Sequence, residues 1–167
     1  MTYCVGMLLE KGMAFMSDTR TNSGVDNIST FLKMFSWSQP GERFITMMTA
    51  GNLATTQALI SQLEERTKAP SERKPSILEA PTMFQVANII GTTLRDTIAA
   101  RALTGPVAAS PAPNFNASVI VGGQIKGMEP RLYLIYPEGN FIEASPETPF
   151  FQIGETKYGR PILVRGF

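Results

Sequence analysis

The sequence contains no histidine. That removes the usual general base of Ser-His-Asp and Cys-His hydrolases and the commonest transition-metal ligand, so acid–base chemistry must come from another amine or a carboxylate. Cys4 is the only cysteine, which excludes a disulfide framework and a cysteine-rich zinc site. Within the apolar run Tyr3 to Leu9 it reads as a small buried filler. A basic excess is also lacking: fifteen Lys and Arg stand against fourteen Asp and Glu, a formal net charge of +1. Neither nucleic acid nor an anionic membrane is therefore an expected partner. No stretch approaches the roughly 18 apolar residues of a membrane span, and the N-terminus lacks the basic start, long apolar core and cleavage site of a signal peptide. A cytoplasmic location is expected, with no cofactor and no metal.

What is present is apolar material. The 167 residues are 43% hydrophobic, with ten Phe and nine Met, enough for one domain over residues 1–167 with a sizeable core. Thr2 to Leu9 and Met13 to Ser17 flank Glu10-Lys11-Gly12 and predict a β-hairpin. Asp18 to Thr30 is polar and reads as a structured loop. Phe31 to Trp37 and Phe44 to Ala50 predict two more strands around a turn at Gln39-Pro40-Gly41-Glu42. After Gly51 the period changes: Leu53, Gln57, Ile60 and Leu63 are spaced for a helix capped by Asn52 and ending near Arg66. A second helix is predicted from Thr82 to Leu103, with Phe84, Ala87, Ile90, Leu94 and Ile98 as its apolar stripe and Gly91 allowing close packing. Ala117 to Val121, Arg131 to Tyr136, Asn140 to Ala144 and Phe150 to Ile153 read as strands, with turns at Gly122-Gly123 and Pro137 to Asn140. The order strands, two helices, strands suits an α+β layered arrangement, two sheets face to face with helices outside.

Thr2 is the residue with the most chemistry in it. Removal of Met1 would leave a threonine with a free α-amine, a nucleophile and a base in one residue; such an amine ordinarily titrates at about 7.7 to 8.0. A hairpin turning near Lys11 returns Asp18 to the same end as Thr2. Lys33, at the head of the third strand, can reach that end too. A cationic Lys33 would lower the hydroxyl pKa and favour the neutral amine, and Asp18 would orient the lysine. Thr49-Ala50-Gly51-Asn52 is a strand-to-helix junction whose Gly51 amide could serve as an oxyanion donor. Taken singly, these residues have plainer readings. Thr at position 2 can mean only that methionine is removed, Asp18 and Lys33 suit a turn cap and a solvated charge, and Gly51 can end a strand.

Four strings resemble one family: Met1 to Gly6; Ser17 to Asn22 with Gly24 to Phe31; Thr49 to Gln57; and Phe151 to Gly159. They are similar to Anbu, the ancestral β-subunit family of bacterial proteasome-type proteases. The resemblance implies an N-terminal nucleophile hydrolase with a four-layer αββα sandwich and threonine peptidase activity on peptide or amide bonds. It places the nucleophile on Thr2, the aspartate on Asp18, the lysine on Lys33 and the oxyanion glycine on Gly51. Relatives work as rings or helical assemblies, so a homo-oligomer is implied; ATP-driven unfoldases partner related systems, but nothing in the sequence indicates one here. Thr21, Asn22 and Asn27 lie on a loop that could line the substrate site.

Two departures accompany the match. Leu32 stands where the family usually has a basic residue. The chain also stops at Phe167, where relatives continue, with Val164 in place of an acidic residue. A C-terminally truncated chain lacking the second helix pair is the expectation, with one sheet face exposed. The alternatives are a non-catalytic structural subunit of a proteasome-like assembly and an amidase acting on a small non-peptide amide.

Overall fold

A computed structural model describes residues 2–22, 28–68, 75–104, 114–157 and 159–166. Its strands are β1 (Tyr3–Leu9), β2 (Gly12–Ser17), β3 (Arg20–Asn22), β4 (Ile28–Thr30), β5 (Met34–Gln39), β6 (Arg43–Gly51), β7 (Ala117–Ile125), β8 (Arg131–Ile135), β9 (Phe141–Glu143) and β10 (Phe150–Gly154). The helices are α1 (Leu53–Lys68), α2 (Met83–Thr104) and the short α3 (Arg160–Gly166).

Alternation of side chains along the strands decides the layering. Three antiparallel strands form one sheet in the order β10-β1-β2, and five form another in the order β5-β6-β7-β8-β9. One face of the large sheet sends Ile45, Met47, Val119, Val121, Tyr133 and Ile135 toward Leu59, Leu63, Val86, Ile90 and Leu94 of α1 and α2. The other face sends Met48, Ala50, Ile120 and Leu132 toward Cys4, Phe151 and Ile153 of the small sheet. Burial of these apolar faces is the main force holding the layers together, about 25 cal/mol per Å2 removed from water.

The first hairpin forms as expected, with Cys4 opposite Ser17 and Leu9 opposite Gly12. Asn52 caps α1, its Oδ1 accepting from the Thr55 amide at 3.0 Å. Gly91 of α2 packs directly on the turn between β8 and β9, where a Cβ would collide with the Gly139 carbonyl.

Several expectations need correction. Gly122-Gly123 is not a turn: β7 runs through both residues, and Gly127, at φ +75°, takes the turn. The pair is needed inside the strand because a Cβ on Gly122 would come within 2.7 Å of Phe15 Cζ from the facing sheet, and one on Gly123 within 2.5 Å of the Phe44 carbonyl. The stretch after Asp18 is not all loop, since β3 and β4 pair as an antiparallel ribbon with Arg20 opposite Thr30. The third strand starts at Met34, after Phe31 and Leu32. In α1 it is Thr55, Thr56, Leu59, Ile60 and Leu63 that are buried, while Gln57 is exposed. Phe84 is exposed rather than part of the α2 stripe. The small helix α3 was not anticipated; Pro161 suits its first turn, where a missing amide costs nothing.

The outer face of the small sheet carries Tyr3, Val5, Met7, Ala14, Met16, Phe150 and Gln152 by strand register. Met16 is 57% exposed there.

Candidate active site

All four residues singled out around Thr2 lie at one end of the stacked sheets. Thr2 immediately precedes β1 and Asp18 immediately follows β2; Lys33 immediately precedes β5 and Gly51 ends β6. The two sheets are joined at this end by Cys4, whose Sγ lies 3.8 Å from the Thr49 carbonyl oxygen.

Asp18 is the hub. Its Oδ1 accepts from Lys33 Nζ at 2.7 Å and from the Tyr3 amide at 3.1 Å. Its own amide donates to the Tyr3 carbonyl at 3.1 Å, which extends the hairpin pairing by one step. A single carboxylate oxygen thus ties the lysine to the residue following Thr2. Lys33 is only 6% exposed, so its cation is held largely out of water and the aspartate offsets its desolvation. The Lys33 carbonyl in turn accepts from the Thr49 amide at 3.0 Å, which fixes the lysine backbone to β6 two residues before Gly51.

Gly51 has φ +123°, and a Cβ there would come within 2.5 Å of the Asn116 carbonyl. The position therefore demands glycine, and β6 leaves the sheet through it into the Asn52 cap. Thr2 is gripped from its other side as well. Its carbonyl accepts from the Glu155 amide at 2.6 Å, directly past Gly154, whose φ is +88°. A Cβ on Gly154 would overlap the Thr2 carbonyl. Neither Gly154 nor Glu155 was singled out from the sequence, although the string Phe151 to Gly159 contains both.

Cys4 is close enough to sense these charges. Burial first, then the Asp18 carboxylate, pushes its thiol up to about 12, with Lys33 acting in the opposite direction. The thiol therefore stays protonated and contributes packing rather than chemistry.

Of the residues suggested to line the substrate site, Thr21 and Asn22 belong to β3, and Asn27 lies outside the described residues. A cavity of about 460 Å3 is lined by Phe31, Leu32, Phe35, Leu53, Thr56 and Gln57 among others. Leu32 is 70% exposed, so its side chain adds apolar surface at the cavity rim. Among the described residues no group of three or more Asp, Glu or Cys is arranged to hold a metal ion. Nor is any helix there long and apolar enough to cross a membrane.

No protein-family model matches the chain, and no curated protein does. Solved structures do. The α+β layering, with its two antiparallel sheets, is that of the proteasome-type N-terminal nucleophile hydrolases. Anbu (ancestral beta-subunit) from Yersinia bercovieri is 47% identical over 99% of this chain and 66% of its own length, with a TM-score of 0.88. The helical assembly of the Anbu complex from Pseudomonas aeruginosa gives 45% identity over the same shares and a TM-score of 0.89. Anbu from Hyphomicrobium sp. strain MC1 is 40% identical over 98% of this chain and 67% of its own, with a TM-score of 0.75. The chain belongs to the Anbu family. It spans about two thirds of the length of these relatives.

Proposed function

We propose that this chain is a threonine peptidase of the proteasome type, hydrolysing peptide or amide bonds with Thr2 after removal of Met1. The observation that carries the reading is the shared Asp18 Oδ1, which bonds both Lys33 Nζ and the Tyr3 amide. A buried cation and an acceptor locked to the residue after Thr2 suit activation of a hydroxyl that has no histidine beside it.

In this reading the Thr2 hydroxyl attacks the carbonyl carbon and passes its proton to the Thr2 α-amine. Lys33 lowers the hydroxyl pKa, and Asp18 holds Lys33 in place. The Gly51 amide donates to the oxyanion of the tetrahedral intermediate. The amine then returns the proton to the leaving nitrogen, giving an acyl-enzyme ester on Thr2 that water hydrolyses. The cavity lined by Phe31, Leu32, Phe35 and Leu53 takes a substrate side chain. The one hydrolase domain works in the cytoplasm as a homo-oligomer, supported by the helical assembly of the Pseudomonas relative.

A peptide boronate tests the reading. Intact mass should show Met1 absent and one boronate adduct, and Thr2→Ala should remove the adduct without unfolding the protein. Retention of Met1, or labelling that persists in Thr2→Ala, overturns it. A folded chain with Met1 removed that never reacts points instead to a non-catalytic subunit of a proteasome-like assembly.

A further inference from the structure

We propose that Glu155 is a positioning residue whose carboxylate holds the Thr2 α-amine in its ammonium form, so that the N-terminus becomes a competent base only as pH rises into the alkaline range. This rests on Thr2 being the nucleophile.

The register brings the two residues together. Tyr3 pairs with Gly154 and Cys4 with Ile153, so the next pair outward is Thr2 with Glu155. The bond from the Glu155 amide to the Thr2 carbonyl at 2.6 Å shows that pairing continues through the bend at Gly154. Residues directly opposite in an antiparallel pair have Cβ atoms about 4.5–5.5 Å apart. A glutamate there has two further carbons with which to reach the α-amine of its partner.

The surrounding charges decide the sign. From the end of β2 comes Asp18, from the segment before β5 comes Lys33, and from the turn after β10 comes Glu155. Lys157 follows on that turn and Arg160 opens α3, both exposed. Lys33 alone would repel an ammonium and lower its pKa. Its Nζ is 2.7 Å from the Asp18 carboxylate, whose negative charge offsets part of that repulsion. Glu155 is exposed and forms no ion pair among the described residues, so its carboxylate adds a negative charge at the position opposite Thr2. An opposite charge favours the charged form and raises an amine pKa above its ordinary range of about 7.7 to 8.0.

The test titrates the amine itself. A chain released with Thr2 as its first residue is 13C-methylated at the amines, and the N-terminal resonance is followed against pH by NMR. Across about 5 Å of solvated protein, Glu155→Gln should lower the midpoint by about 0.5 pH unit and Glu155→Lys by about 1. The neutral fraction near pH 7.5 then rises about threefold in Glu155→Gln. The shift should shrink in 1 M salt, as expected for an exposed charge, while Glu138→Gln, on a distant turn, should leave the midpoint in place. A fall smaller than about 0.2 pH unit in Glu155→Gln, where a solvated contact should give more, or any rise, overturns the proposal. The two readings fail separately. If the midpoint moves but boronate never labels Thr2, the peptidase reading falls and the Glu155 assignment stands; if boronate labels Thr2 and the midpoint stays put, the Glu155 assignment falls and the peptidase reading stands.

Discussion

Gly154→Ala puts the packing around Thr2 to a quantitative test. Gly154 sits at φ +88°, and an L-residue in the left-handed region costs about 1–2 kcal/mol. The added methyl also overlaps the Thr2 carbonyl. Two responses are open. Holding Thr2 in place means overpacking at about 1–3 kcal/mol, whereas letting Thr2 swing away gives up its bond to the Glu155 amide, worth about 1 kcal/mol. Thr2 lies at the chain end and outside β1, so displacement is the cheaper response. The total loss is then about 2–3 kcal/mol, and at about 2–4 °C per kcal/mol for a chain of this size, Tm falls by about 4–12 °C. A displacement of about 1 Å at a reacting group costs on the order of 100-fold in rate, so boronate labelling should drop by that factor. Calorimetry and intact-mass labelling kinetics read the two effects. Gly41→Ala is the control: its φ is +77° with nothing within 4 Å of the added Cβ, so it suffers the backbone strain alone and keeps wild-type labelling. An unchanged Tm in Gly154→Ala would refute the strain argument. An unchanged labelling rate would refute the claim that Thr2 is the part that yields.

Two further outcomes are expected. Gly91→Ala should destabilise by up to about 2 kcal/mol in urea unfolding, because the clash with the Gly139 carbonyl outweighs the roughly 1 kcal/mol that alanine normally adds to a helix; a more stable variant would show that α2 does not rest on that turn. Cys4, with its thiol pushed up to about 12, should resist iodoacetamide at pH 8 in the folded protein and react fully in urea. The unfolded thiol ionises first, near its ordinary pKa, so folding stability is full below that value and falls progressively as pH rises toward 12. Rapid alkylation of the native protein at pH 8 would contradict this.

Much of the local structure was legible because it depends on near neighbours. The first hairpin follows from two short apolar segments flanking Glu10-Lys11-Gly12, and α1 follows from the Asn52 cap and its helical spacing. Gly122-Gly123 misled because a glycine pair is the same signal for a turn and for two sheets in close contact, and only Phe15 on the facing sheet distinguishes them. The β3–β4 ribbon was missed because its residues are mostly polar and its strands only three residues long. At the site, Asp18 was readable since it lies one hairpin away from Thr2 in register, and Lys33 since the stretch after Asp18 is long enough to bring the chain back to that end. Glu155 was not, because its approach depends on β10 returning to the opposite edge of β1 after both helices and three strands of the other sheet.

By itself the sequence determined the chemistry on offer: a threonine behind a removable methionine, no histidine, a single cysteine, and the motif strings that mark the Anbu family. Those are properties of composition and local order, and no folding is needed to read them. The tertiary structure alone decided which groups meet Thr2 and at what distance. A bond of 2.7 Å between Asp18 and Lys33 exists only because β2 ends and β5 begins at the same end of two stacked sheets. The Glu155 amide reaches the Thr2 carbonyl because β1 takes β10 as its other neighbour, a pairing that burial of Phe151 and Ile153 stabilises.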